Sequence, residues 1–252
     1  MNLPLVTCLC NTRNRAHLLN RTVDRFKWQT YPEKELLIIY EEDDTATDAF
    51  AAQLNEPHVR FLKMPVTPKL TLGALRNAGI ADSRGDLVCI WDDDDWYHPR
   101  RIEVQVSHLL ASHKAACIMA YILLYDAHNV QAYLGHMRLW EGSMICQRDV
   151  LKDDLYYGDM NKQEDQFLVD RLKANNMVYP LIMPQLYVYV IHGNNTWHSA
   201  HFSGMFSCSQ KMSEESSLLI KQIVEQGDHP DDVAYIDSPA VLSQLNYDLK
   251  IW

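Results

Sequence analysis

The sequence predicts an α/β protein: a mostly parallel sheet flanked by helices. Two observations predict it. Apolar runs of strand length alternate with stretches of helical periodicity, β-α-β-α-β-α-β, through the first hundred residues. The runs Glu35–Tyr40 and Leu87–Trp91 are also nearly continuous in apolar side chains, as strands covered on both faces are. With 252 residues and 47% apolar content, the chain is long enough for one large domain with a real core.

Leu3–Cys10 reads as the first strand. Polar Asn11–Arg15 follows, then a helix from Ala16 to Gln29 with Leu19, Val23 and Phe26 on one side. Glu35–Tyr40 is the second strand and runs into Glu41, Glu42, Asp43 and Asp44. Thr45–Leu54 is a short helix and His58–Leu62 the third strand. Thr71 suits the cap of the next helix, where Leu72, Leu75 and Gly79 share a face. Leu87–Trp91 is the fourth strand. Pro99 suits the first position of the helix after it, with Ile102, Val106, Leu109 and Leu110 toward the core. Ala115–Tyr125 is strand-like and pairs with Gln131–Leu139 around a turn at Ala127–Asn129. Ser143–Cys146 is a short strand. Gln163–Lys173 is a helix with Phe167, Leu168 and Leu172 inward. Val178–Val190, broken by Pro180 and Pro184, reads as two strand pieces. A polar loop spans His192–His201, and a helix spans Ser213–Glu225. Right-handed crossovers place parallel strand ends on one edge of the sheet. Asn11–Arg15, Glu41–Asp44 and Asp92–Asp95 are therefore expected to meet there.

Composition narrows the function. A formal charge of −10 gives no support to broad nucleic-acid binding, which needs a basic face. No apolar run approaches membrane-spanning length, and MNLPLVTCLC lacks the marks of a signal peptide, so the expectation is a cytoplasmic protein. Cys8, Cys10, Cys89, Cys117 and Cys146 lie in apolar stretches and read as buried thiols in a reducing compartment.

The chemistry is concentrated in Leu87–Pro99, LVCIWDDDDWYHP. An apolar strand delivers Asp92, Asp93, Asp94 and Asp95 to its C-terminal end, where open α/β sheets bind ligands. Four adjacent carboxylates repel, so some protonate, turn away or hold a cation. Oxygen ligands suit Mg²⁺ or Mn²⁺, and Mg²⁺ sites combine one or two carboxylates with substrate phosphates. A solvated acidic turn is the plain alternative.

Six blocks, in order, resemble glycosyltransferase family 2. They are Thr12-Arg13-Asn14-Arg15; Gly73-Ala74-Leu75-Arg76-Asn77-Ala78-Gly79-Ile80 with Arg84-Gly85-Asp86; Trp91-Asp92-Asp93-Asp94-Asp95 with Pro99; Glu141-Gly142-Ser143; Glu164-Asp165; and His192-Gly193-Asn194-Asn195-Thr196-Trp197. The resemblance implies the GT-A fold, Rossmann-like with a mixed C-terminal half, in one domain over residues 1–252. Residues 1–100 would bind the nucleotide sugar, 101–205 would carry the acceptor and catalytic groups, and 206–252 would be a helical extension. It implies an inverting transfer from a nucleotide sugar, a UDP-sugar first of all, to an acceptor hydroxyl. The acceptor class, whether glycan, lipid-linked sugar, protein or small molecule, stays open.

The same resemblance assigns residues. Asp94 would contact a Mn²⁺ or Mg²⁺ ion, which stabilises the departing diphosphate. Asp92 would hold the ribose or a metal-bound water, with Asp93 beside it and Asp95 a loop or helix-start residue. His192 would complete the metal shell or touch the diphosphate, or be structural. Thr12, Asn14 and Arg15 lie where the nucleoside would dock, or form the loop into the helix with Asn14 as its cap. Glu41 stands where the family places an acid that reads uracil, although Tyr40-Glu41-Glu42-Asp43-Asp44 replaces the usual Asp-Asp-Gly-Ser run. Arg76 would reach the diphosphate, or sit exposed on its helix. Asp165 would be the general base, or a plain helix-start acid favoured by the helix dipole; Asn161-x-x-Glu164 resembles a capping box, which accounts for Glu164 but not for Asp165. Asn194, Asn195 and Trp197 would close over the donor or form a turn. His192, His198, His201 and Cys208 are a zinc alternative whose spacing fits no standard pattern. A sugar-phosphate nucleotidyltransferase is the rival enzyme, disfavoured by the lack of glycine in Asn11–Arg15; a silent nucleotide-sugar-binding module is the rival without catalysis.

Overall fold

The computed structural model describes residues 3–153, 155–193, 195, 199–225 and 233–245. Its first half follows the predicted alternation: β1 (Val6–Asn11), α1 (Ala16–Lys27), β2 (Lys34–Glu41), α2 (Thr45–Gln53), β3 (Val59–Met64), α3 (Leu72–Asp82) and β4 (Leu87–Ile90). Then come β5 (Trp96–Tyr97), α4 (Arg101–Ser112), β6 (Ala116–Met119), β7 (Leu123–Asp126), β8 (Gln131–Leu134) and β9 (Trp140–Gln147). α5 (Glu164–Ala174), β10 (Val178–Leu181), β11 (Tyr187–Ile191), α6 (Ser199–Ser207), β12 (Gln210–Lys211), α7 (Glu214–Glu225), α8 (Val233–Ile236) and α9 (Pro239–Leu242) complete the order.

Seven strands form the main sheet in the order β10-β6-β9-β4-β1-β2-β3. All its pairs are parallel except those of β9, which runs antiparallel to β4 and to β6. β1 lies between β2 and β4, with Cys10 beside Ile38 and Leu9 beside Ile90. Leu36–Ile39 and Val88–Ile90 are buried along their whole length, because helices cover both faces of the sheet. Leu19, Val23 and Phe26 of α1 pack on one face; Ile80 of α3 and Leu168 and Leu172 of α5 pack on the other.

The second half builds a smaller sheet of its own, β12-β8-β7-β11-β5. The single strand expected at Ala115–Tyr125 is two. β6 belongs to the main sheet and β7 to the small one, with buried Ala120–Ile122 crossing between them. The two pieces expected in Val178–Val190 divide in the same way, β10 in one sheet and β11 in the other. β7 and β8 form the predicted antiparallel pair.

Local corrections have simple causes. Pro99 precedes α4 rather than opening it, and Arg100 is the cap residue. Leu110 and Phe167 face outward, 49% and 39% exposed, so a narrower stripe than the apolar pattern suggested is buried on α4 and α5. The buried face of α3 is Gly73, Arg76, Gly79 and Ile80; Thr71 does cap it, accepting from Ala74 N at 3.1 Å. The five predicted cysteines are buried. Among the described residues, no helix is long and apolar enough to cross a membrane.

Candidate active site

The three predicted loops do meet at the C-terminal edge of the main sheet. Thr12 Oγ1 donates to Asp93 Oδ2 at 2.6 Å, and the Arg15 guanidinium bonds Asp94 and lies 3.3 Å from Asp93 Oδ1. Arg13 pairs with Glu41 and with Asp43, and Lys69 adds a second cation to Glu41. Asn14 is not the cap of α1. It takes a positive φ of 53°, its N–H donates to Asp44 Oδ2 at 2.6 Å, and Arg15 is the cap residue without a side-chain bond.

The acidic turn is held by the small sheet and by helices α1 and α4. Tyr97 Oη accepts the Asp92 N–H at 2.7 Å, Arg25 donates to the Asp95 carbonyl at 2.8 Å, and Arg101 to the Ile90 carbonyl at 3.1 Å. Asp95 lies in the loop before β5, as expected, but not in solvent. It is buried, accepts the Val190 N–H at 2.8 Å and the Tyr187 hydroxyl, and so fastens the turn to β11 of the small sheet. Asp95 and Asp93 are thereby used within the protein. Asp92 and Asp94 line an adjacent cavity of ≈ 200 Å³.

Burial dominates the protonation of this turn. It pushes Asp93 up to about 7 and Asp95 well above the usual carboxylate range, with Asp94 adding repulsion in each case. Burial raises Asp92 also, against the pull of Arg76. Asp94 goes the other way. Burial pushes it up, but the His192 hydrogen bond and Arg15 outweigh that and hold it below its ordinary value. Asp94 is the acid of the four kept most firmly ionised. His192 Nε2 stands 3.0 Å from Asp94 Oδ2. Its backbone is fixed by Asn195, whose Oδ1 accepts the His192 N–H and whose amide donates to the Val190 carbonyl, both at 2.9 Å. Asn194 and Trp197 lie outside the described residues, as does His198 of the zinc alternative.

Among the described residues, no group of three His, Cys, Asp or Glu side chains closes a protein-only metal cage. What converges is Asp94 with His192 and, on the same cavity wall, Asp92. One or two carboxylates with the remaining positions left to phosphate oxygens and water is the donor set that Mg²⁺ and Mn²⁺ take with nucleotides. The residues therefore fit a cation brought with a diphosphate rather than one caged by protein alone.

Asp165 lines the same cavity, in the first turn of α5. The capping box read from Asn161 and Glu164 does not form. Asn161 Oδ1 accepts the Leu72 N–H at 3.0 Å instead, and Gln163 is the cap residue. Glu164 turns inward to Arg76 at 2.9 Å, and Arg76 also meets Glu141 at 3.3 Å. The exposed-helix reading of Arg76 is corrected: it is buried, spans α3, α5 and β9, and lies 5.0 Å from the Tyr157 ring centroid. Glu141, quoted in the sequence without a role, accepts the Tyr157 hydroxyl and borders the cavity. Only the fold reveals this box, because its members come from four segments spread between Arg76 and Glu164.

Burial, opposed by Arg76 and reinforced by Asp165, pushes Glu141 up to about 7. A carboxyl raised on folding holds its proton more tightly folded than unfolded. Its contribution to stability is full below the unfolded value near 4.5 and is lost as pH rises through about 7. Denaturant melts at pH 5 and pH 7.5 should therefore show wild type losing stability over this window through Glu141. Glu141→Gln, which leaves the Arg76–Glu164 pair in place, should flatten the loss by up to about 3 kcal/mol.

Backbone contact sets where Asp165 stands. A Cβ on Gly73 would lie 1.8 Å from the Gly158 carbonyl oxygen and 3.2 Å from Glu164 Cβ. Gly73 N–H donates to the Met160 carbonyl, and Gly158 N–H to the Glu164 carbonyl, each at 3.1 Å. Gly73→Ala must push the start of α5 away from α3. The expected result is a loss of about 1–3 kcal/mol in urea melts. Any transfer that depends on Asp165 should fall about 100-fold with it, as for a misplacement near 1 Å.

The family model described as glycosyl transferase family 2 matches residues 8–158, which is more than half of the chain. The chain belongs to glycosyltransferase family 2. Among relatives, the putative colanic acid biosynthesis glycosyl transferase WcaA of Escherichia coli strain K12 is 28% identical over 234 residues, 90% of this chain and 69% of that one. The UDP-Glc:alpha-D-GlcNAc-diphosphoundecaprenol beta-1,3-glucosyltransferase WfgD of Escherichia coli is 21% identical over 257 residues, 96% of this chain and 92% of that one. In fold, the chain is similar to the S. aureus TarS fragment 1-349 solved with UDP-GlcNAc, at a TM-score of 0.62 and 13% identity over 92% of this chain and 70% of that one. It is also similar to the mannosyltransferase PcManGT of Pyrobaculum calidifontis, solved with GDP-Man and Mn²⁺, at a TM-score of 0.58 and 15% identity over 96% and 75% of the two chains. The architecture is the GT-A fold expected of a family 2 enzyme, and the protein is a glycosyltransferase.

Proposed function

We propose that this glycosyltransferase moves a sugar from a nucleotide sugar, a UDP-sugar first of all, to an acceptor hydroxyl by direct displacement with inversion. The observation that carries the reading is the shared cavity: Asp92 and Asp94 from the β4 end and Asp165 from α5 line one space. Asp94, Asp92 and His192 are the residues that would hold Mn²⁺ or Mg²⁺, which supplies charge stabilisation to the departing diphosphate. PcManGT, solved with GDP-Man and Mn²⁺, supports the metal, and the TarS fragment, solved with UDP-GlcNAc, supports the uridine donor.

Asp165 then acts as general base, taking the proton of the acceptor hydroxyl as its oxygen attacks the anomeric carbon. Thr12 and Arg15 hold Asp93 and Asp94 in place, and Arg15 balances the charge of the turn until a cation does so. Asn14 and Glu41 border the nucleoside position; Glu41 meets it already ion-paired to Arg13 and Lys69. Arg76, given to the donor on sequence grounds, serves by fixing Glu141 and Glu164 beside the base. The name of WfgD puts a lipid-linked sugar among the acceptor classes to try first.

The reading is tested by calorimetric titration of nucleoside diphosphates and nucleotide sugars with Mn²⁺ and with chelator. Metal-dependent binding of one nucleotide supports it and identifies the base. No binding of any nucleotide to folded protein with metal present removes the donor assignment.

A further inference from the structure

We propose that Arg138 binds a negatively charged group of the acceptor, a phosphate or carboxylate near the accepting hydroxyl; this rests on reading the cavity as the site of transfer. Three guanidinium groups line that cavity: Arg15, Arg76 and Arg138. Arg15 is taken by Asp93 and Asp94, and Arg76 by Glu141 and Glu164. Arg138 is half-buried, and no carboxylate among the described residues comes within ion-pair distance of it. With 33 acidic residues to 23 basic ones, acids are in surplus, so an unpaired cation in an otherwise acidic cavity calls for an explanation.

Arg138 is not loose. Its backbone N–H donates to the Ala120 carbonyl at 3.1 Å, and its guanidinium lies 4.5 Å from the Trp140 ring centroid. Trp140 is itself buried and donates Nε1 to the His136 carbonyl at 3.3 Å. Stacking on an aromatic face fixes the plane of a guanidinium and leaves its N–H edge for a planar or tetrahedral oxyanion, which it grips with two parallel bonds. In the proposed function the diphosphate of the donor is met by the cation that Asp92, Asp94 and His192 would hold. Arg138 lines the cavity that also holds Asp165, whereas Asn14, Asp93 and His192 line a neighbouring cavity that Arg138 does not line. A neutral acceptor would leave this charge unused. An anionic one supplies the missing partner.

The test titrates a hexose 1-phosphate, the corresponding hexuronate and the neutral methyl hexoside into wild type saturated with UDP and Mn²⁺, and into Arg138→Gln and Arg138→Lys. The expected result is at least tenfold tighter binding of one anionic probe than of the methyl hexoside. That margin should vanish in Arg138→Gln and survive in part in Arg138→Lys, with UDP affinity unchanged in both. The phosphate and uronate arms tell which oxyanion is read. Equal binding of charged and neutral probes, no binding of either, or a margin that persists in Arg138→Gln overturns the proposal. Should Arg138→Gln not fold, Arg138→Lys decides it: a reduced margin supports the proposal, and a margin equal to that of wild type overturns it. Failure of UDP to bind is read in a separate titration and counts against the donor site alone; the probes are then titrated without it.

Discussion

Asp165→Asn is expected to lower the transfer rate by about 10²–10⁴-fold while leaving nucleotide affinity unchanged. The substitution keeps the size and the place of the side chain in the first turn of α5 and removes only its capacity to take a proton. Asp165 is bonded into neither the Arg76 box nor the acidic turn, so its loss should cost little stability. Single-turnover transfer and calorimetric titration of UDP with Mn²⁺, run on the same preparation, separate the two effects. A fall in kcat with constant Kd supports the base. Unchanged kcat, or a fall explained by lost UDP binding, removes Asp165 from that role.

Asp94→Ala is expected to weaken metal-dependent nucleotide binding at least ~100-fold, since loss of a direct ligand should exceed the 10–100-fold cost of losing a residue behind one. The reason lies in the division of labour along the turn. Asp93 bonds Thr12 and Asp95 bonds Tyr187 and Val190, while Asp94 lines the cavity, is bonded by His192 and stays ionised. Asp94→Ala leaves Arg15 near Asp93 at 3.3 Å, which limits the structural damage, and circular dichroism should show a native fold. Titration of UDP with Mn²⁺ and with chelator makes the measurement. Equal affinity in wild type and Asp94→Ala would return the acidic turn to a structural role.

Much of this was legible in the sequence because it is local. Apolar runs such as Leu36–Ile39, punctuated by polar loops, specify buried parallel strands, and four such strands bring their ends to one edge by the handedness of their crossovers. The meeting of Thr12 with Asp93 and of Arg15 with Asp94 follows from that topology. The helix start at Glu164-Asp165 is legible too, and Asp165 lies in the first turn of α5 on the cavity.

The tertiary structure decided what depends on partners far apart in the chain. Which of Asp92–Asp95 face the cavity is set by Thr12, Tyr97, Tyr187 and Val190, whose positions no local pattern encodes. Ala115–Tyr125 reads as one strand because its side chains are apolar throughout, yet it divides between two sheets, since burial in either looks the same in sequence. Glu164 resembles a cap because the spacing to Asn161 is right, but a buried guanidinium from α3 offers its carboxylate a stronger partner than the first-turn N–H groups. Arg138 stands out only in the fold, where the other two guanidinium groups around the cavity, Arg15 and Arg76, are each paired with acids. The alternation of elements thus determined the fold and the edge where its acidic loops meet, and long-range pairing of buried charges determined which side chains are left facing the cavity there.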